Sequence, residues 1–468
     1  MSPFKPVLRI FCVISAASLV AITPVLAEKA GTQPGSREIP KGQDRISLPA
    51  AVAMAVTRNL RITDARLAVK ENESLRRSAF SDFFPSLDFQ YVAQGNRYKQ
   101  SGTVLGFASA HDARRALSPS GGSYPYRIDP YSTFTLSATL TQPVYSAGRI
   151  LNDYKFARLS VDYSEIQVDV ERQDLVLEVY EAYYGMMQSQ KLLEVADKSI
   201  EALRAQKNQA EEFYKAGVVP KVDVLSTEGL LAQAMIQRTQ AVTDIERYKA
   251  TLCLLLRYPQ ETRIRIIHDF GYRPNPYRIP QIYRVAARNR LEIGQANISV
   301  EQALALVKSA NAGLMPSVSI QTTGSRTNDD WNPFDPEAIN DWSVQGILTW
   351  SFDFFRRRET VQQNRAAQAR AFVARERLVE DIMDEVKAAY LDMKRSESDI
   401  GHSRKAVRYR RENFRINQER YKEQVATYIE VLDALRELSQ AAGDYYTSLI
   451  QYRINKAVLE RRMGILKN

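Results

Sequence analysis

Phe213-Tyr214-Lys215-Ala216-Gly217-Val218-Val219-Pro220-Lys221-Val222-Asp223-Val224-Leu225 and Arg420-Tyr421-Lys422-Glu423-Gln424-Val425-Ala426-Thr427-Tyr428-Ile429-Glu430-Val431-Leu432 are one pattern written twice, 207 residues apart. The same spacing carries Glu178-Val179 onto Glu385-Val386, Ala182-Tyr183 onto Ala389-Tyr390, and Arg149 onto Arg356. Upstream, Leu60, Ile62, Ala65, Pro85, Ser86 and Gln90 match Leu291, Ile293, Ala296, Pro316, Ser317 and Gln321, now 231 apart. The chain is an internal duplication, and the first copy holds about two dozen extra residues between Pro85 and Arg149.

Working outward from the motif, each copy reads as a turn between long helices. No proline occurs between Val144 and Val219, and none follows Pro336. Leu175, Val179, Ala182, Met186, Leu193, Ala196, Ile200 and Leu203 recur at alternating steps of four and three, with Ser189 in one gap, a coiled-coil seam. Ile382, Val386, Ala389, Met393, Ile400 and Val407 repeat it. A second row, Val176, Tyr180, Tyr184 and Met187, predicts contacts on both flanks, as in a wall of helices; a plain coiled-coil rod explains the seam equally well. A helix from Ser146 to Lys215 would be roughly 105 Å long. The returning helix, Val222 to Arg257, is half as long, and helix resumes from Gln281 to Gly313 beyond a Pro/Tyr-rich stretch.

Before each long helix the period changes to two. Leu87, Phe89 and Tyr91 alternate with Ser86, Asp88 and Gln90; Phe134, Leu136, Ala138 and Leu140 alternate with Thr135, Ser137 and Thr139. Val318 and Ile320, and then Val344, Leu348, Trp350 and Phe352, do the same in the second copy. Strands of this kind suit a membrane barrel with a wet interior, and equally a half-buried soluble sheet. Phe80, Phe83, Phe84, Tyr131, Trp342, Phe354 and Phe355 gather at strand ends, where an aromatic girdle would sit. Four strands close no membrane barrel, and open edges are not tolerated in lipid, so either the sheet is soluble or several chains share one barrel.

The ends and the composition bound the rest. Lys5 and Arg9, the apolar run Ile10 to Val20 and Val25-Leu26-Ala27 read as a signal peptide over 1–27, or as an uncleaved anchor. Its removal takes two cations and no acid, so the net charge falls from +10 to +8. Cys253 is then the only cysteine, which excludes an internal disulfide. The boundaries expected are a flexible segment 28–45, a first repeat 46–258 with a β-hairpin 86–145 and a turn 216–220, and a linker 259–280. A second repeat 281–464 follows, with a hairpin 317–354 and a turn 423–428, then a tail 465–468.

Taken together, the residues from Ile46 to Gly464 resemble the TolC-type outer membrane factor family. The matching motifs are Leu48-Pro49-Ala50-Ala51-Val52, Asn59-Leu60, Phe84-Pro85-Ser86-Leu87, Leu140 through Arg149, Ala182-Tyr183, Tyr214 through Val219, and Tyr421 through Ala434, and their order, spacing and duplication carry the resemblance. It implies a mostly α homotrimer with a membrane β-barrel part. Four strands per subunit would share a 12-stranded barrel above a long coiled-coil helical barrel. The implied role is a duct in the outer membrane, in contact with its lipid and reaching into the periplasm. It would be joined to a periplasmic adaptor and an inner-membrane pump of RND or ABC type, and would pass drugs, solutes or secreted proteins. Gln94–Ser132 and Thr327–Asp341 become extracellular loops.

The resemblance also implies site residues. Gly217, Val218, Val219, Val425 and Ala426 form the adaptor-docking tip. Glu430, Asp433, Asp223 and Tyr421 form the periplasmic gate: threefold symmetry would set the first two acids around a narrow axis, favouring cations. Asp223 and Tyr421 match an acid–tyrosine latch whose arginine is replaced here by Ala426, with Lys221 and Lys422 as the nearby cations. Arg149 and Arg356-Arg357-Arg358 fall at the barrel–helix junction. His111, His268 and His402 have no ligand spacing, and no phosphate loop or H-E-x-x-H occurs. The expectation is no enzyme, no cofactor, no metal and no nucleic-acid partner. Small-molecule efflux and type I protein secretion both remain open, with a soluble periplasmic coiled-coil protein as the rival of another class.

Overall fold

The computed structural model describes residues 45–96, 131–217, 219–267, 271–272, 274, 277–328, 331–332, 335–336, 338–353, 355–423 and 425–466. The signal peptide, most of the first surface loop, Val218 and the side chains of Tyr131 and Phe354 lie outside the described residues.

The first repeat runs β1 (Arg45–Ile46), α1 (Leu48–Arg58), α2 (Leu60–Ser81), β2 (Ser86–Asn96), β3 (Tyr131–Tyr145), α3 (Arg149–Lys215) and α4 (Lys221–Leu256). After β4 (Arg265–Ile266), the second repeat gives α5 (Ile279–Asn289), α6 (Leu291–Ala312), β5 (Ser317–Asn328), β6 (Ile339–Thr349), α7 (Arg356–Lys422) and α8 (Tyr428–Arg462). The strands β2, β3, β5 and β6 form one antiparallel sheet in that order. β1 and β4 pair in parallel, a two-residue clip that the sequence reading misses. Tyr183 fastens it, its hydroxyl donating to the Ile267 carbonyl at 2.7 Å.

The α3 and α7 seams are the core. Leu175, Val179, Ala182, Met186, Ala196, Ile200 and Leu203 are buried, as are Ile382, Val386, Ala389, Met393 and Ile400, while Leu193 and Val407 are half-buried. Where α3 meets α4, Gly185 is required: a Cβ there would lie 2.4 Å from the Tyr248 ring.

Several boundaries differ from the sequence expectation. The long helix begins at Arg149, not Ser146, because Ala147 and Gly148 take left-handed backbone (φ 51° and 86°). The helix expected over 281–313 is two helices broken at Arg290, whose extended backbone (ψ 113°) repeats the break at Asn59. Strands reach further into the surface loops than expected, to Asn96 and Asn328 and from Tyr131 and Ile339. The second hairpin stops at Thr349, short of 354. Its counterpart β3 continues to Tyr145 because β5 runs beside it, whereas β6 has no strand on its outer side.

The two sheet faces are chemically distinct. Thr135 and Thr139 face Thr327 and Thr323 at 3.1 and 3.3 Å on the polar face. The other face carries Phe89, Trp342, Val344 and Leu348, 59–72% exposed. Below the sheet, Phe80 packs within 5.9 Å of Phe83, Phe84 and Tyr154. No helix among the described residues is long and apolar enough to cross a membrane.

Candidate functional site

The far ends of the two helical hairpins bring the predicted gate residues to one region. Gly217 ends the first hairpin's outgoing helix with φ 75°, a conformation that favours glycine, and its N–H donates to the Tyr214 carbonyl at 2.9 Å. In the second hairpin the N–H groups of Val425 and Ala426 turn back onto the Arg420 carbonyl at 2.8 and 3.3 Å. Val425 is exposed, while Val219 and Ala426 are half-buried.

Between the hairpins sits a small polar core inside an apolar one. Ile200, Leu203, Ala210, Ala234, Leu432 and Leu435 surround Tyr428, whose hydroxyl donates to the Gln206 carbonyl at 2.7 Å. Thr227 Oγ1 lies 3.2 Å from that hydroxyl. Burial pushes the Tyr428 phenol up to about 12. Tyr421 packs against Tyr428 with ring centroids 5.3 Å apart and planes tilted by 48°, and its own phenol is raised by burial and then by the charge of Asp223. Tyr428 joins the hairpins more directly than any residue nominated from the sequence. Its signal was available: it follows Thr427 at the start of a helix, an apolar body with a polar tip.

Asp223 is buried in the first turn of α4, and no cation among the described residues lies within ion-pair distance of it; neither Lys221 nor Lys422 takes the arginine's place. Burial raises its carboxyl above the usual aspartate range. The folded tip therefore binds this proton more tightly than the unfolded chain. Its stability contribution is present at low pH and lost as pH rises from the ordinary to the raised value. Asp223→Asn is accordingly expected to raise thermal stability at neutral pH and to change little below about pH 4. Melting curves at the two pH values check this; a variant less stable at neutral pH would show that an ionised Asp223 has a favourable partner.

Glu430 and Asp433 are exposed on α8, and each has its own arginine. Arg420 lies 3.8 Å from Glu430, and Arg436 donates to Asp433 at 2.9 Å. Thr427 caps this helix, its Oγ1 accepting from the Glu430 N–H at 3.4 Å and donating to the Glu430 carboxylate at 3.1 Å. The Thr-x-x-Glu spacing at 427–430 is a sequence signature of a helix start.

Midway up the helices a second cluster ties the repeats. Arg461, 5% exposed, pairs with Asp174 of α3 at 2.7 Å and with Glu292 of α6 at 2.9 Å. Arg290 and Arg462 share Glu385 of α7 at 3.1 and 2.9 Å. Gly464 (φ 71°) lets the chain end pass here, because a Cβ would lie 2.5 Å from the Asn289 carbonyl oxygen. Among the described residues no group of His, Cys, Asp and Glu could hold a metal ion.

The whole geometry, sheet above and paired hairpins below, has known counterparts. Superposition on the Campylobacter jejuni CmeC outer membrane channel gives a TM-score of 0.76 at 16% identity, covering 94% of this chain and 90% of that one. Nodulation protein T of Rhizobium leguminosarum bv. viciae is 23% identical over 79% of this chain and 81% of its own length. Toluene efflux pump outer membrane protein TtgI of Pseudomonas putida is 24% identical over 86% and 82%. The profile of the outer membrane efflux protein family matches residues 51–256 and 282–464, most of both repeats. The chain belongs to that family, whose members are transport ducts and not enzymes.

Proposed function

We propose that three copies of this chain close one channel in the outer membrane and that the channel is the exit duct of a tripartite efflux system. The carrying observation is a four-stranded sheet with two open edges and one exposed apolar face. In lipid such edges must be paired. The duplication supplies the pairing: β6 stands in the second repeat where β3 stands in the first, and β2 where β5 stands. The in-chain pair Ala138–Gly324 then has its counterpart in Gly346 of one copy opposite Ala93 of the next. Three copies of four strands make a ring wide enough for a polar lumen.

The helices support the same assembly. Leu225, Ile236 and Leu254 on α4 are 53–68% exposed. They hold the positions at which α8 carries Leu432, Gly443 and Arg461 against α3. A neighbouring copy's α7 is the surface that would cover them. The tip around Gly217 and Val425 is then the adaptor's docking site, and an inner-membrane transporter of RND or ABC type supplies the energy.

The solvent-pump relatives favour small apolar molecules as cargo. Type I secretion is the second reading: the Leu140–Arg149 segment resembles the secretion subgroup, whereas its second-repeat counterpart, Leu348–Arg356, resembles the drug-efflux members. Deleting the gene discriminates: sensitivity to dyes and solvents is the expected result, loss of a secreted protein would move the assignment to secretion, and no change in either would overturn the export role.

A further inference from the structure

The stretch between the repeats, residues 257–290, contains eight arginines, no lysine and two acids. Three of the arginines converge. Arg278, Arg284 and Arg288 are exposed and line a shallow groove of about 610 Å³ along α5, together with Gln281 and Asn289. None of the three has a carboxylate partner among the described residues; Arg284 Nε donates to the Pro280 carbonyl of its own helix.

The fold does not require these arginines. The corresponding helix of the first repeat, α1, buries Ala51 and Ala55 where α5 buries Ile282 and Ala286. At the positions of Arg278, Arg284 and Arg288 it carries Ser47, Ala53 and Thr57. The same packing is achieved without the charge, so the arginines serve something outside the chain.

The groove offers forked donors and amides. Its only apolar lining besides Pro280 is the half-buried Val285. Protein interfaces are held by buried apolar or aromatic anchors, which are missing here. Guanidinium groups in a row instead suit a hydrated polymer bearing carboxylates. Position points the same way. Ile282 and Ala286 pack on Val386 and Ala389, near the middle of α7, about 50 Å from each end of that helix at 1.5 Å per residue.

We propose that this groove docks the peptidoglycan of the cell wall through its stem-peptide carboxylates, anchoring the duct where it crosses that layer. The inference rests on the duct reading above. It gives the first and second repeats different outward surfaces, three grooves with three arginines each alternating with three counterparts whose one arginine is Arg58, at the position of Asn289.

Co-sedimentation of the purified full chain in detergent with isolated peptidoglycan sacculi tests it. The wild type is expected in the pellet. The R278Q/R284Q/R288Q variant is expected to lose binding by about ten-fold or more, from three lost charge-assisted contacts. Sacculi whose carboxylates have been amidated should fail to bind the wild type, a result that does not depend on any variant folding. Equal pelleting of variant and wild type, binding to amidated sacculi, or no pelleting of the wild type would each overturn the proposal. Fractionation of the wild type is scored separately: absence from the outer membrane sinks the duct reading, while presence there without sacculus binding sinks only the docking site.

Discussion

Val344→Arg is expected to keep the protein out of the outer membrane, while Gln345→Arg, one residue away, leaves assembly intact. The two positions lie in the middle of β6 and point to opposite faces. Val344, 59% exposed, shares the apolar face with Leu348 and Trp342. An arginine on the lipid side near the bilayer middle costs about 2–4 kcal/mol, and threefold repetition applies that cost in every subunit. Gln345 aligns with Gln321 on the polar face, where another cation meets water. The readout is the heat-modifiable assembled species in outer-membrane fractions. Equal behaviour of the two variants would mean that the exposed apolar face does not meet lipid.

Arg461→Ala is expected to destabilise the fold by about 2–3 kcal/mol, because it removes a buried guanidinium that bonds two partly exposed carboxylates. The guanidinium is 5% exposed and bonds carboxylates from both repeats, Asp174 and Glu292. Its loss leaves Glu292, itself 19% exposed, beside Arg290 alone. Arg290 Nε lies 2.8 Å from Glu292 without making a hydrogen bond, so it keeps the charge attraction but does not replace the bond that Arg461 donates. Thermal melting of the purified protein measures the loss. Arg461→Ala with Asp174→Ala should recover part of it, whereas a change within about 0.5 kcal/mol for the single variant would show that the cluster does not join the repeats.

The duplication, the seams and the strand faces were legible because each is periodic. Apolar side chains that share one helix or strand face recur at 3.6 or 2 residues and leave a pattern in one dimension. Helix ends were less legible. The start at Arg149 depends on the left-handed backbone of Ala147, a residue that rarely adopts it, and the break at Arg290 falls where no proline or glycine marks it, at a guanidinium paired with nearby Glu292 and distant Glu385. The end of β6 was misplaced for a different reason. Trp350 and Phe352 alternate as a strand should, but β5, the strand beside β6, begins at Ser317 opposite Thr349 and leaves them no in-chain partner. At the tip, Asp223 and Tyr421 could be nominated, yet Tyr428, which makes the inter-hairpin bond, could not be ranked above its neighbours without knowing that Gln206 lies opposite. The arginine of Glu430 was also hidden, since Arg420 reaches across the turn, whereas that of Asp433 stands three residues along the same helix.

This chain's two free edges are expected to complete each other in a closed ring of three. Cysteines at Ala93 and Gly346, small exposed residues on the β2 and β6 edges, test it most directly in a background with the buried Cys253 replaced by alanine. Oxidised membranes run on a non-reducing gel should give a ladder that ends at three chains, while either cysteine alone gives only single chains. A ladder that continues past three, or the double variant remaining a single chain in a soluble periplasmic fraction, would contradict the account.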